Sequence, residues 1–200
     1  EDRAKMLADP EGPYALNASW AAGREFDTAI YGAMGGNAYS MDEDDAASTV
    51  ALPSGQKIAV NNHSYDAGSG VGKLIGAKKI LWANEVDEEE PLYCVANSTQ
   101  LAKLLGETEV QSRDYNDVYA LVQGRINTFM GFTFVRYESV NTDSASDELI
   151  YCWAQNGVGL AISMDQAVRI SERADKNYAT QVHVSQSMGA TRIEDEKVVE

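Results

Sequence analysis

The sequence predicts an α+β fold. Three features carry that expectation: three- and four-residue apolar spacing over a long N-terminal stretch, a middle section where short strand-like runs alternate with helical ones, and an ending in which β-formers dominate from "GVGLAIS" onward. Length and composition are those of a globular chain. Its 200 residues, 44% of them hydrophobic, are enough to bury roughly 70% of the surface the unfolded chain exposes.

The first element is a helix. In "DPEGPYALNASWAAGREFDTAIYGAMGG", prolines and an acidic residue precede Ala15, Ala18, Ala22, Phe26, Ile30 and Ala33, and Gly35-Gly36 close the segment. Roughly 22 residues at ~1.5 Å each span on the order of 33 Å. The alanines of the apolar face let a neighbouring element approach closely. A small-residue, acidic loop follows. Then "STVALPSGQKIAV" places two apolar runs on either side of Pro53-Ser54-Gly55, which predicts a hairpin turning at those three residues.

The next stretch, "AGSGVGKLIGAKK" over residues 67–79, invites comparison with phosphate-binding loops. Such a loop needs glycine, four residues, then Gly-Lys and a Ser or Thr whose hydroxyl holds Mg²⁺. Here Leu74 follows Lys73, and Ala67 stands where the first glycine belongs. The dinucleotide pattern fails as well: started at Gly68 its third glycine falls on Lys73, and started at Gly70 it falls on Ile75. Val71, Leu74, Ala77 and Leu81 instead form a helical stripe, and Gly68 to Gly72 read as a flexible hinge leading into it.

That helix runs to Asn84, and an acidic turn leads to the strand "LYCVA". In "NSTQLAKLLGE", Asn97 or Ser98 caps a second helix, Leu101, Leu104 and Leu105 face inward, and Gly106 supplies a left-handed stop. A further helix is expected over "YNDVYALVQG", ended by Gly124. "INTFMGFTFVRYESV" turns around Gly131 into a strand, and "DELIYCWAQ" supplies another. "VRISER" and "YATQVHVSQSM" are two strands separated by "ADKN". In the second, Val182 and Val184 alternate with Gln181, His183 and Ser185, as in a half-exposed antiparallel strand.

Charge narrows the partners. With 16 basic and 31 acidic residues the net charge is −15, which repels nucleic acid unless the cations gather on one face, and nothing gathers them. The acidic blocks at Asp42 to Asp45, at Glu85 with Asp87 to Glu90, and at Glu194 to Glu196 read as solvated loops. No run approaches the ~18 apolar residues of a membrane span, and "EDRAKMLADPEG" has neither the basic nor the apolar region of a secretory signal. Cys94 and Cys152, flanked by strand formers, read as buried free thiols suited to a reducing cytoplasm. The missing initiator methionine suggests a piece of a longer protein.

No catalytic, cofactor-binding or metal-ligating residue is assigned. Zinc would have to gather His63, His183, Cys94 and Cys152 from four distant places, and G-x-S-x-G, H-E-x-x-H and C-x-x-C motifs are absent. A calcium loop counted from Asp42 has Ala47 at its sixth position and Pro53 at its twelfth, where glycine and glutamate are required. Asp114 and Asp117, three apart near a predicted helix start, favour the positive end of the helix dipole. The competing functional readings are an acidic α+β nucleotide-binding module or enzyme centred on Lys73, Asp114 and Asp117, and a soluble binding module of a host complex.

Several blocks, in one order, carry a resemblance. "TEVQSRDYNDVYALVQGRINTFMGFTFVR", preceded by a helix ending in "LLG", closely resembles a stretch of the major capsid proteins of tailed bacteriophages. "ISERADKNYATQVHVSQSMGATRIEDEKVVE" resembles their C-terminal strands, and "AKKILWANEV" matches their A-K-x-x-L-x-x-x-x-V helix. These blocks cover about residues 70 to 200, and the long first helix fits more loosely.

The resemblance implies the tailed-phage capsid fold: a peripheral domain of spine helix and C-terminal strands over residues 9–60 and 157–200, and an axial domain over 61–156. It implies a chain without the N-terminal arm and extended loop that precede the spine helix in the family. The implied partners are copies of itself in pentamers and hexamers, with scaffold, portal and decoration proteins beyond these. Packaged DNA is touched only non-specifically, and net acidity suits a wall that confines DNA without gripping it. The implied location is the virion shell, assembled in the host bacterial cytoplasm. The resemblance implies no cofactor, no membrane and no enzymatic activity. Within it, the Gly68 to Gly72 hinge would let one domain tilt against the other, and the loop 107–116 would make contacts near a capsomer axis.

Overall fold

The computed structural model describes residues 11–41, 47–59, 70–106, 128–143 and 146–200. His63, Asp114, Asp117, the loop 107–116 and the helix expected over "YNDVYALVQG" lie outside these residues. Helices α1 (Glu11–Gly35), α2 (Gly70–Ala83) and α3 (Ser98–Gly106) accompany strands β1 (Ala38–Met41), β2 (Ala47–Val50), β3 (Leu92–Ala96), β4 (Thr128–Phe129), β5 (Phe132–Arg136), β6 (Cys152–Ala154), β7 (Val158–Arg173), β8 (Ala179–Arg192) and β9 (Val198–Val199). The α+β expectation holds. The chain divides into two compact units, one of residues up to Ile30 with Leu160–Ala190, the other Tyr31–Gly159 with Thr191–Glu200.

The larger unit is organised by a mixed five-stranded sheet in the order β4-β5-β3-β6-β9. "LYCVA" is its central strand, parallel to β5 from Leu92↔Phe132 to Ala96↔Arg136 and antiparallel to β6 from Leu92↔Ala154 to Cys94↔Cys152. A parallel neighbour needs a crossover rather than a tight turn, and α3 lies in that connection. β4 and β5 join through Met130 and Gly131, both at positive φ (53° and 86°). That is the geometry a two-residue hairpin demands, and Gly131 is where the sequence placed the turn.

The α2 stripe packs on this sheet. Val71, Leu74, Ala77 and Leu81 are all buried, in one cluster with Val86, Cys94, Leu104, Phe132, Cys152, Ala154 and Val199. The hinge expectation requires correction: Gly70 opens α2 and Gly72 is buried in its first turn, so these two glycines belong to a packed helix.

Asn97 caps α3. Its Oδ1 accepts the Gln100 N–H (2.8 Å), and its Nδ2 donates to Glu148 (2.7 Å), whose other oxygen takes the Gln100 side chain. Ser98 leaves the capping to its neighbour and instead donates to Glu138 (2.9 Å), which sets a carboxylate at the positive end of the helix. Gly106 ends α3, but without the left-handed φ expected of it.

A second correction concerns "STVALPSGQKIAV". The run before Pro53 pairs backward, β2 with β1, from Ala38↔Val50 to Met41↔Ala47. Ser54–Gln56 forms a 3-10 turn, not the bend of a hairpin. The run after it joins the C-terminal residues: Glu200 N–H donates to Gln56 O and Ile58 N–H to Glu200 O, both at 2.8 Å. Lys57 adds an ion pair to the Glu200 carboxylate at 2.8 Å. Two apolar runs flanking a turn signal fix that a turn occurs, but each run takes whichever backbone edge is open to it.

Where α1 ends, a tyrosine cluster holds it. The Tyr31 hydroxyl donates to Leu149 O (2.8 Å) and accepts the Asn141 N–H (2.9 Å), while its ring meets those of Tyr137 and Tyr151 at 5.0 and 5.2 Å. A Cβ at Gly35 would collide with the Tyr151 hydroxyl, so the glycine that closes the helix is also what lets the cluster close on it. Burial raises the Tyr31 and Tyr151 hydroxyl pKa values above the ordinary tyrosine value.

An acid whose folded pKa is raised binds its proton more tightly in the native state. Its stability contribution is therefore whole below the unfolded value of about 10 and lost as pH climbs through the folded one. Stability is expected to fall steeply above about pH 10. Tyr31→Phe is expected to flatten that slope and to cost about 1–3 kcal/mol at neutral pH by orphaning Leu149 O and the Asn141 N–H. Urea titrations at a series of pH values check both; an unchanged alkaline slope would show that Tyr31 does not govern it.

Candidate functional site

In the smaller unit the first twenty residues of α1 meet the β7–β8 ribbon. The predicted stripe is the protected one: Ala22 is buried, and Ala15, Ala18, Phe26 and Ile30 are half-buried. Ser19 donates to Gln166 (3.3 Å) on β7, and Gln186 on β8 donates to the Ala22 carbonyl (3.5 Å). The opposite face of the helix carries Leu16 and Trp20, one turn apart and 51% and 57% exposed.

Among the described residues, β7 and β8 form a two-stranded sheet with each other. Short connections join antiparallel strands, and the turn here, Ala174–Lys176, closes at Asn177 with φ 56°. Alternate residues of a strand point to one face. Along β7 the alternate positions are Leu160, Ile162, Met164, Gln166, Val168 and Ile170, and the five apolar ones remain 42–52% exposed. Gln166, at the middle of this row, is the one bonded to α1. An apolar row left half in water along a two-stranded ribbon is unfinished burial, and about half of each side chain's transfer free energy is still available to a partner.

The row is visible in "LAISMDQAVRI" as an alternation interrupted at Gln166, a pattern that predicts a strand without saying which face stays uncovered. Trp20 gives no such signal, because it falls outside the three- and four-residue spacing that marks the buried face of α1.

Gly23 sits within α1 with no atom inside 4 Å of where a Cβ would be. Gly23→Ala is expected to stabilise the isolated subunit by about 0.5–1 kcal/mol, since glycine inside a helix costs that much in backbone entropy. Thermal melts of the two proteins decide it. A lower melting temperature would mean that this part of α1 is not a free helix surface.

The residues of the competing reading do not converge. Lys73, half-buried on α2, borders a hollow of about 880 Å³ in the larger unit, together with Lys57, Lys103, Glu148 and the core residues Leu74 and Phe134. Asp114 and His63 lie outside the described residues, and Lys57 is engaged by Glu200. His183 is exposed on β8, whereas Cys94 and Cys152 meet as partners in the core. Among the described residues no three His, Cys, Asp or Glu side chains gather in a way that could hold a metal ion, and no helix is long and apolar enough to cross a membrane.

Among solved structures, the chain is similar to the capsid of Cyanophage P-SCSP1u, with a TM-score of 0.67 and 19% identity over 94% of this chain and 64% of that one. It is similar to a chain of Mycobacterium phage Che8, with a TM-score of 0.69 and 14% identity over 100% of this chain and 66% of the other. The mature capsid of bacteriophage PhiM1 follows, with a TM-score of 0.58 and 11% identity over 94% and 63%. At these identities the likeness establishes the fold alone. The chain belongs to the phage capsid protein family, whose model matches residues 1–200. It spans slightly less than two thirds of the length of the solved chains it resembles. No curated protein sequence matches it significantly.

Proposed function

We propose that this chain is the shell-forming part of a major capsid protein, whose copies associate into pentamers and hexamers and close an icosahedral shell around phage DNA. The observation that carries the reading is the family match over residues 1–200. The half-exposed row on β7 and the Leu16–Trp20 pair supply apolar surface for such contacts. Each contact in a closed shell can be modest, because symmetry repeats it in every copy and all copies act together.

The division into a peripheral domain of residues 9–60 with 157–200 and an axial domain of 61–156 belongs to this proposal. So do a role for the loop 107–116 near the capsomer axis, assembly in the host cytoplasm, and contacts with scaffold, portal or decoration proteins. The net charge of −15 favours a wall that DNA touches only loosely. Catalysis has no part in this function, and the nucleotide-binding alternative is not favoured by the family.

Electron microscopy of the full-length expressed protein tests the reading. Closed shells or capsomer rings are expected. Monodisperse single subunits, together with stabilisation by a nucleotide, would replace it with the ligand-binding reading.

A further inference from the structure

We propose that Cys94 and Cys152 form a site of reversible oxidative modification, an intramolecular disulfide between β3 and β6 made by exchange with a small-molecule disulfide. The two residues are direct partners in the antiparallel register of these strands. The flanking bonds identify the kind of pair: Val95 N–H donates to Tyr151 O (2.9 Å) and Gln155 N–H to Pro91 O (3.0 Å). Hydrogen-bonded and non-hydrogen-bonded pairs alternate along such a ladder, so Cys94 and Cys152 occupy a non-hydrogen-bonded pair, the kind with Cα atoms about 4.5 Å apart and side chains closest together. Disulfides span Cα separations of about 4.4–6.8 Å, so the bond requires little backbone movement. Both thiols are free and in the same core cluster, where the Cys94 thiol donates to the Val95 carbonyl at 3.6 Å.

The chemistry balances with a disulfide of the glutathione type as oxidant. One cysteine thiolate attacks its S–S bond and expels a glutathione thiolate, leaving a mixed disulfide on the protein. The second thiolate attacks the protein sulfur of that bond and expels the other glutathione thiolate. The protein loses two electrons and two protons, and the oxidant becomes two thiols. Burial sets the rate. Cys94 and Cys152 are 2% and 5% exposed, and the neighbouring Cys152 thiol together with burial pushes the Cys94 pKa up, so reaction waits on brief opening of the sheet and on a scarce thiolate. The bond would tie the central strand to the one that carries β9, and it would close the long loop from residue 94 to 152 in the unfolded chain.

The test exposes the full-length protein to oxidised glutathione at neutral and mildly alkaline pH, natively and in urea below the unfolding midpoint, then labels remaining thiols with a maleimide after acid unfolding. The expected result is loss of both labels at Cys94 and Cys152, a mass decrease of about 2 Da per subunit, and a peptide joining the two residues after digestion. The reaction should run faster at the higher pH, raise the melting temperature and reverse with dithiothreitol. Cys94→Ser and Cys152→Ser should each stop at a glutathione adduct or keep one label. Both thiols surviving in every condition, separate adducts on the two cysteines, or links between subunits would overturn the proposal. Shell formation is a separate readout, so failure here leaves the capsid reading standing.

Discussion

Arg192→Met is expected to destabilise the subunit by about 3–5 kcal/mol, the range for breaking a buried charge pair from one side. The Arg192 side chain has no solvent exposure. Its Nη1 donates to the carbonyls of Met34 (2.9 Å) and Gly36 (2.7 Å), its Nη2 to that of Val50 (3.0 Å), and its Nε to the Asp195 carboxylate. One planar group thus neutralises the negative end of α1, holds the β1–β2 hairpin and fixes the turn before β9. Methionine fills comparable volume but leaves three carbonyls and a carboxylate without their donor. Lysine keeps the charge but, as a single ammonium, cannot reach four acceptors in one plane, so Arg192→Lys is expected to recover less than half of the loss. Urea denaturation of both variants checks this. A shift below about 1 kcal/mol for Arg192→Met would show that water substitutes for the guanidinium.

Ile162→Asp is expected to leave the subunit folded and to cut shell yield by tenfold or more, equivalent to at least about 1.4 kcal/mol per contact. Ile162 is 52% exposed in the single subunit, so its loss there forfeits only the buried half of its transfer free energy, about 1 kcal/mol. In a contact with another copy, the same substitution both removes an apolar side chain and desolvates an unpaired carboxylate. The comparison needs two measurements: melting temperature of the dissociated subunit, and yield of sedimenting particles. Shells formed at normal yield would remove the β7 row from the list of assembly contacts, while leaving the family assignment untouched.

Much of the local structure was legible in the residues. Apolar spacing placed α1 and the buried face of α2, β-formers placed β3 and the β7–β8 ribbon, and Gly131 marked a turn that only positive φ can make. Such features depend on a residue and its near neighbours along the chain. The competing ligand site failed for the same local reason, because a phosphate loop is a contiguous motif and its required residues are missing. The apolar row on β7 was present as an interrupted alternation, yet alternation alone does not say which face the rest of the chain will cover.

By itself, then, the sequence determined the three described helices, most of the strands and, through several blocks in one order, the family, while β1 lay in a stretch that reads as loop. The tertiary structure decided which edges meet: β2 turned back to β1, residues 56–58 joined Glu200, and Cys94 came to face Cys152. It alone showed that Arg192, one cation among sixteen, lies buried where three chain segments converge. The reason is physical. Periodicity records the geometry of one segment, whereas pairing and burial depend on every segment competing for the same edges and the same interior.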